Sequence, residues 1–233
     1  MTDSDIRGRL RERLEALEAR IQAACDRAHR PRGEVTLIAV TKSVSIGVAR
    51  IIAELGVLDL GESRPQELWR KADGMKDLPV RWHMIGHLQR NKIDRTLPLV
   101  HCFHSGDSER LLLALETAAA KQARLVPVLL EVNASREASK GGFAPEEVPA
   151  LSELIRRLPH LQIAGLMAMA ADTDNPEQAR MTFRELRQLR DGCTGFSLPH
   201  LSMGMSNDFE SAIEEAATFI RIGTTLFEGL ASD

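Results

Sequence analysis

Cysteine is scarce in this sequence of 233 residues, which contains only Cys25, Cys102 and Cys193. The three lie far apart along the chain, and no two of them form a CxxC pair. Disulfide frameworks and zinc ribbons require closely spaced cysteine pairs, so the sequence predicts neither. A P-loop, a dinucleotide-binding glycine fingerprint and an HExxH motif are also missing, which removes the most easily recognised nucleotide and zinc sites.

Long apolar runs are missing as well. No segment approaches the roughly 20 apolar residues that a membrane-spanning helix needs. The first residues, MTDSDIRGRLRERLEALEARIQ, are charged and amphipathic, unlike a secretory signal. A formal net charge of −3 gives no electrostatic reason to expect nucleic acid or an anionic membrane as the main partner. We therefore expect a protein of the reducing cytoplasm that binds neither nucleic acid nor membranes.

Short apolar runs alternate with amphipathic stretches along most of the chain. Alternation of this kind favours parallel βαβ units. Helical candidates lie near residues 46–55, 64–73, 88–95, 107–121, 145–157, 175–190 and 207–217. The strand-like runs are 35–41, 57–61, 81–86, 99–103, 124–133, 161–169, 200–204 and 219–223.

Eight such runs predict an α/β fold in which one (β/α)8 barrel of the TIM type spans residues 1–233. An open doubly wound sheet is the competing arrangement, and no Pro-, Gly- or Ser-rich linker divides the chain. Residues 1–30 hold an extra N-terminal helix that could cover one end of the barrel or pack beside the last helix. The helix is predicted by apolar residues at spacings of three and four, namely Ile6, Leu10, Leu14, Leu17 and Ile21.

Lys42 ends the first apolar run, VTLIAVTK. Working groups in such barrels lie at the C-terminal ends of the strands, because the following loops converge there. A lysine at the barrel mouth would be partly desolvated and close to Arg221 on the neighbouring strand 8. Both effects favour the neutral amine, which is the nucleophile for an aldehyde. The alternative is a solvated lysine at the rim, the more frequent outcome for a lone lysine.

The seventh and eighth runs end in residues suited to an anion. The Ser206 hydroxyl could bind a phosphate oxygen, and Gly223 would let its own amide and that of Thr224 approach one. A plain helix cap at Ser206 and a plain turn at Gly223 remain alternatives. Runs 1, 7 and 8 are contiguous in a closed barrel, so the lysine and the phosphate cradle would meet. Pyridoxal 5′-phosphate (PLP), with an aldehyde at one end and a phosphate at the other, fits this layout.

Arg221 would then lie near the pyridine nitrogen of PLP. Arginine cannot accept a proton, so it would keep that nitrogen unprotonated and weaken the ring as an electron sink. A salt bridge with a carboxylate such as Glu62 is the alternative role for Arg221.

The histidines are weaker candidates. His83 and His87, with His101 and His104 on either side of Cys102, could suggest a metal. Strand alternation and the lack of a carboxylate constellation favour structural or rim roles, so no metal site is predicted. Lys140, in the loop 135–143, is expected to be exposed.

The assembled motifs resemble the YggS/PROSC family of pyridoxal phosphate homeostasis proteins, which are relatives of the alanine racemase N-terminal barrel. The resemblance runs from about residue 5 to residue 230. It is carried by LIAVTK (37–42), WHMIGHLQRNK (82–92), SKGG (139–142), GLMAM (165–169), LSMGMSNDFESAI (201–213) and IRIGTTLFEG (220–229).

The resemblance implies a PLP imine on Lys42, phosphate held by Ser206 with the amides of Gly223 and Thr224, and Arg221 near the pyridine nitrogen. It also implies that Met203 and Gly204 line the same cleft. One motif departs from the family, because GENYVQE reads GESRPQE at residues 61–67. Ser63 and Arg64 therefore put in doubt any contact that the family's Asn makes to the cofactor, whereas Pro65 suits the first turn of a helix.

Three functions compete. A carrier or buffer of PLP, active in PLP homeostasis and able to deliver PLP to apo-enzymes, is the favoured one. A PLP-dependent amino-acid racemase, or another fold-type III enzyme, needs a second proton-transfer group, which in alanine racemases is a tyrosine from a further domain. This sequence has no tyrosine and ends at residue 233, so we expect neither that domain nor a racemase-type dimer, and predict a monomer. A Schiff-base aldolase acting on a sugar phosphate is the third possibility.

Overall fold

The computed structural model describes residues 1–137, 141–170 and 176–230. Parallel strands β1 to β8 pair in chain order and close into a barrel, which confirms the predicted (β/α)8 architecture. The competing prediction of an open doubly wound sheet is therefore wrong. The strands are β1 (Thr36–Val40), β2 (Asp59–Glu62), β3 (Arg81–Met84), β4 (Val100–Gly106), β5 (Val126–Glu131), β6 (Leu161–Met167), β7 (His200–Ser202) and β8 (Phe219–Ile222).

Helices follow the strands as predicted, with shorter pieces in several places. Short 3-10 turns lie at Arg32–Glu34, Arg90–Lys92, Leu97–Leu99 and Pro145–Leu151. The α-helices are α1 (Asp3–Arg27), α2 (Ile46–Glu54), α3 (Pro65–Gly74), α4 (Ile93–Thr96), α5 (Glu109–Lys121), α6 (Ser152–Arg156), α7 (Pro176–Gly192), α8 (Phe209–Glu214) and α9 (Thr224–Phe227). No helix in these described ranges has the length and apolar character to cross a membrane.

The N-terminal helix α1 lies on the outside of the barrel. Thr2 and Asp5 form a reciprocal capping box that fixes its start. The helix packs against α8, α9 and α2. Ion pairs strengthen the contact with α8, since Arg20 and Arg27 bind Glu210 and Glu214 at 2.9 and 2.6 Å. The question that the sequence left open is thus answered: α1 packs beside the last helices.

A buried ion pair fixes the end of β1 from the outer face of the barrel. The Lys71 ammonium on α3 lies 2.7 Å from Glu62, and both side chains are fully buried. Lys71 also donates to the Thr41 carbonyl at 2.6 Å, and the Thr41 hydroxyl donates to Glu62 at 2.6 Å. These bonds hold the residue immediately before Lys42, so they determine where the Lys42 backbone sits.

Candidate functional site

Lys42 follows β1 in an exposed turn at the C-terminal ends of the strands. Ile38 pairs with Arg221 in the sheet register, and Val40, two residues later, is the last residue of β1. The pairing continues as far as Thr41, whose amide donates to the Gly61 carbonyl at 3.0 Å. Lys42 is exposed, so the expected partial desolvation is not observed. An amine in this position is accessible to an aldehyde that arrives from solvent.

The loops after β7 and β8 meet each other, and Gly223 in the second loop lies next to Val40 at the end of β1. The Ser206 hydroxyl accepts a hydrogen bond from the Thr225 amide at 3.2 Å. Ser206 does not cap α8, because the residue at the cap position is Asp208. The Asp208 carboxylate instead binds the Met205 amide at 2.5 Å. The plain-cap alternative for Ser206 is therefore wrong, and its hydroxyl joins the two loops.

The two glycines of these loops have different roles. Gly204 has a φ of 91°, and a Cβ there would lie 2.6 Å from the Cβ of Ala212, so only glycine fits. Gly223 has an ordinary φ of −116°, and a Cβ would make only ordinary contacts, the nearest 3.5 Å from the Val40 carbonyl. Packing therefore requires Gly204, whereas a Cβ at Gly223 could be accommodated in contact with Val40.

Met203 belongs to the protein core. Strand alternation turns Ser202 into the barrel and Met203 away from it, and Met203 is fully buried in the hydrophobic core between strands and helices. Its side chain cannot line an open cleft, which corrects that part of the expectation. Its backbone still leads into the loop at Gly204.

Arg221 is buried inside the barrel beneath the mouth. Its guanidinium donates to the Ser202 hydroxyl at 2.6 Å and to the Ala168 carbonyl at 3.1 Å. Burial lowers the pKa of Arg221 to about 10, although Asp208 and Glu131 act in the opposite direction. Arg221 therefore remains a cation near neutral pH. The alternative of a salt bridge to Glu62 is wrong, because that carboxylate points to the outer face of the sheet and binds Lys71.

A chain of buried polar side chains continues from Arg221 through the barrel interior, away from the C-terminal ends of the strands. Ser202 bonds His104 Nδ1 at 2.8 Å, and His104 Nε2 lies 2.9 Å from His83 Nδ1. His83 Nε2 bonds Asp59 at 3.0 Å, and Arg81 grips the same carboxylate from the other side. We call these residues, from Arg221 to Asp59, the barrel relay.

The charges along the barrel relay are set by burial and by partners. Burial, reinforced by neighbouring His83, holds the pKa of His104 well below its usual range. Burial alone would raise the pKa of Asp59, but hydrogen bonds from Arg81 and His83 outweigh it and lower the value to about 2. His104 is therefore neutral and Asp59 is ionised near neutral pH.

The chain matches the family model "Alanine racemase, N-terminal domain" over residues 13–230. It is 43% identical to the pyridoxal phosphate homeostasis protein of Aquifex aeolicus, over 93% of this chain and 96% of that one. It belongs to the pyridoxal phosphate homeostasis protein family. The relative from Pseudomonas aeruginosa with the same description is 41% identical, over 93% of this chain and 94% of that one.

A structural relative of this family member is PipY of Synechococcus elongatus. The structure of PipY with PLP bound superposes with a TM-score of 0.80 at 31% sequence identity, covering 94% of this chain and 99% of that one. The barrel and the order of its elements are thus shared with a protein that binds PLP.

Histidines and cysteine in this family member take structural and rim positions. His87 is a rim residue, with 72% of its side chain exposed and a bond to Asp107 at 2.7 Å. His83, Cys102 and His104 bring one potential ligand atom each within 4.8 Å of one another. The ring nitrogens already have hydrogen-bond partners, and burial raises the pKa of the Cys102 thiol to about 12, so Cys102 is uncharged.

Two expectations concern the neighbouring loops. Pro65 occupies the first turn of α3 after Arg64, as the sequence predicted. Lys140 lies outside the described residues. Sequence reasoning assigned no role to Asp59 or Ser202, because strands this short do not reveal from sequence which of their residues point inward.

His104 makes the stability of the fold depend on pH. A histidine whose pKa is depressed in the folded state binds a proton only after unfolding, so the free energy of unfolding falls as the pH drops below about 6.5. One such histidine contributes a slope of up to about 1.4 kcal/mol per pH unit. We expect His104→Gln to flatten the slope measured by urea unfolding between about pH 5 and 6.5. His87→Gln, at the exposed rim, is the control and should keep the wild-type slope. Equal slopes in the wild type and His104→Gln would contradict a neutral, buried His104.

Proposed function

We propose that this protein binds PLP as an imine on Lys42 and acts in the cytoplasm as a PLP carrier or buffer, without strong catalytic activity. The observation that carries the proposal is an exposed lysine, Lys42, just after β1, with buried Arg221 on the neighbouring strand β8. PLP supplies a reactive aldehyde and an electron-accepting ring. Apo-enzymes that need PLP are the proposed recipients, and the carrier is proposed to be a monomer.

The phosphate end of PLP would bind at the loops after β7 and β8. Ser206 lies within hydrogen-bond distance of the Thr225 amide, so a hydroxyl and backbone amides are close together there. Gly223 supports the same assignment, because a Cβ there would make only ordinary contacts with Val40 and packing therefore does not explain the glycine. Gly204 brings the first of the two loops close to α8, and the Thr224 amide would complete the cradle.

The ring end of PLP would meet Arg221. The guanidinium is fixed by Ser202 and Ala168, and arginine has only donors to offer. A guanidinium cation can donate a hydrogen bond to the pyridine nitrogen but cannot accept a proton from it, so the nitrogen stays unprotonated. An unprotonated pyridine is a weaker electron sink. This property supports a carrier rather than an enzyme that stabilises carbanions.

The supply of proton-transfer residues favours the carrier over the racemase. Two-base racemisation needs a second acid–base group, and the sequence contains no tyrosine. His83 and His104 are engaged with each other inside the barrel, and His87 is bound to Asp107 at the rim. His83 and His104 are fully buried, so neither can exchange protons directly with a substrate at the mouth.

Absorbance spectra and isotope exchange test the carrier function. We expect purified protein with PLP to be yellow and to lose this absorbance slowly when an L-amino acid is added. Incubation with the amino acid in deuterated water is expected to leave its α-proton in place. Rapid α-deuteration followed by formation of the D-isomer would contradict the carrier and support the racemase. Colourless protein that cleaves a sugar phosphate would support the aldolase instead.

A further inference from the structure

The barrel relay crosses the interior from the cofactor side to the opposite face. It begins at Arg221 under the mouth and ends at Asp59, whose partner Arg81 has 49% of its side chain exposed. Between these ends, His83, His104 and Ser202 are fully buried. Each neighbour in the relay is within 3.0 Å, so every link is a hydrogen bond of ordinary length.

If His83 is neutral, the two ends of the relay determine the direction of every hydrogen bond in it. Arg221 can only donate, and ionised Asp59 can only accept. A proton on His83 Nε2 must therefore point to Asp59, which leaves Nδ1 of a neutral His83 as an acceptor. His104 then donates from Nε2 and accepts at Nδ1, so the Ser202 hydroxyl donates to His104. The Ser202 oxygen is left to accept from Arg221.

The opposite direction carries an electrostatic penalty. It requires a cationic His83 that donates from both nitrogens, and His104 would then donate to Ser202. Asp59, 3.0 Å away, would favour such a cation, but a second positive charge would then share the barrel interior with Arg221, and like charges disfavour each other. Ser202 would also have to accept from two donors while its own proton found another acceptor.

We propose that Asp59, His83, His104 and Ser202 act as positioning residues, forming a one-directional hydrogen-bond relay that fixes the guanidinium of Arg221 for the pyridine ring. The effect of the relay on the cofactor rests on the proposed PLP binding, whereas the hydrogen bonds of the relay do not depend on it. It assigns a role in cofactor binding to Asp59 at the far end of the barrel. It also makes the His83, Cys102 and His104 cluster a hydrogen-bonded cluster and not a metal centre.

Histidine tautomers in the wild-type protein test the relay without PLP. Long-range ¹H–¹⁵N correlation spectra of ¹⁵N-labelled protein at neutral pH distinguish Nε2–H from Nδ1–H rings. We expect both His83 and His104 as neutral Nε2–H tautomers. A Nδ1–H tautomer or a cationic ring at either position would overturn the proposal. Spectral changes on addition of Zn²⁺ that disappear in Cys102→Ser would also overturn it, in favour of a metal site.

A double-mutant cycle tests the coupling to the cofactor. Asp59→Leu removes the terminal acceptor and Ser202→Ala removes the link to Arg221. Each is expected to weaken PLP binding about tenfold, the effect of one lost bond to a charged group. The double variant should be no weaker than Ser202→Ala alone, because both changes break the same relay. Ser202→Thr, which keeps the hydroxyl, should restore most of the affinity.

The cycle separates this inference from the proposed function. If the single variants bind PLP like the wild type, or if their effects simply add, the relay is overturned while PLP binding stands. If the wild type does not bind PLP, the proposed function fails, and the tautomers still decide whether the relay exists. Circular dichroism and urea unfolding of each variant identify any that fail to fold, and in that case the wild-type tautomers remain the deciding measurement.

Discussion

Lys42→Ala is expected to abolish the covalent adduct with PLP completely. Borohydride reduces an imine to a stable secondary amine, so the wild-type protein treated with PLP and borohydride should gain the mass of one reduced cofactor. The alanine variant has no amine at the end of β1 to form that bond. Residual non-covalent binding should remain, since Ser206, Gly223 and Arg221 are unchanged.

Lys121→Ala is the matched control for this experiment. Lys121 lies on α5, where 73% of its side chain is exposed. A lysine in such a position can react with free PLP, but it has no anion-binding loops beside it. The control should keep the full stoichiometric adduct. A Lys42→Ala protein that is still reduced to one adduct per chain would show that another amine carries the cofactor.

Lys71→Met is expected to destabilise the fold by about 3–5 kcal/mol, the typical cost of removing one member of a buried ion pair. Lys71 and Glu62 are both fully buried at a separation of 2.7 Å, so the variant leaves an uncompensated carboxylate inside the protein. One oxygen of that carboxylate, Oε2, already has no hydrogen-bond partner among the described residues. The variant also removes the donor to the Thr41 carbonyl, next to Lys42.

Urea unfolding at neutral pH measures this effect, with two comparisons. Lys76→Met removes an exposed ion pair to Asp73, in which both side chains are about three quarters exposed, and should change stability by less than about 0.5 kcal/mol. The double variant Glu62→Leu with Lys71→Met removes both charges and should recover most of the lost stability. A Lys71→Met protein as stable as Lys76→Met would contradict the buried pair.

The sequence predicted the barrel because that fold depends on a repeated pattern. Eight apolar runs separated by helical stretches have few closed solutions, and small errors at their ends do not change the topology. Boundaries were less predictable where short elements meet. The helix expected at 88–95 divides into a 3-10 turn, the four-residue α4 and a further turn around Pro98, because a proline removes a backbone donor and restricts the residue before it.

The sequence predicted on which strand each site residue lies, but it was a poorer guide to whether the side chain points into or out of the barrel. Lys42 and Arg221 were located from the ends of their strands, and neighbouring strands bring both to one side of the barrel. The suggested salt bridge between Arg221 and Glu62 was wrong because successive side chains of a strand point to opposite faces of the sheet. Glu62 points outward to Lys71, whereas Arg221 points inward to Ser202. An apolar run of four residues gives no indication of which residues point inward.

The barrel relay could not be read from the sequence at all. Its members lie on five strands, and each one taken alone is a common residue with an ordinary structural role. Only the closed barrel brings His83 and His104 within 2.9 Å of each other and aligns Ser202 with Arg221. Contacts of this kind depend on register between strands that are distant in sequence, which local patterns do not encode.

The central claim is that the amine of Lys42 bonds the aldehyde of PLP while the phosphate rests on the loops after β7 and β8. The most direct test is peptide mass spectrometry of wild-type protein loaded with PLP, reduced with borohydride and digested. We predict one modified peptide, carrying the reduced cofactor on Lys42. Modification of a different lysine, or tightly bound PLP that borohydride does not attach to any lysine, would contradict the account.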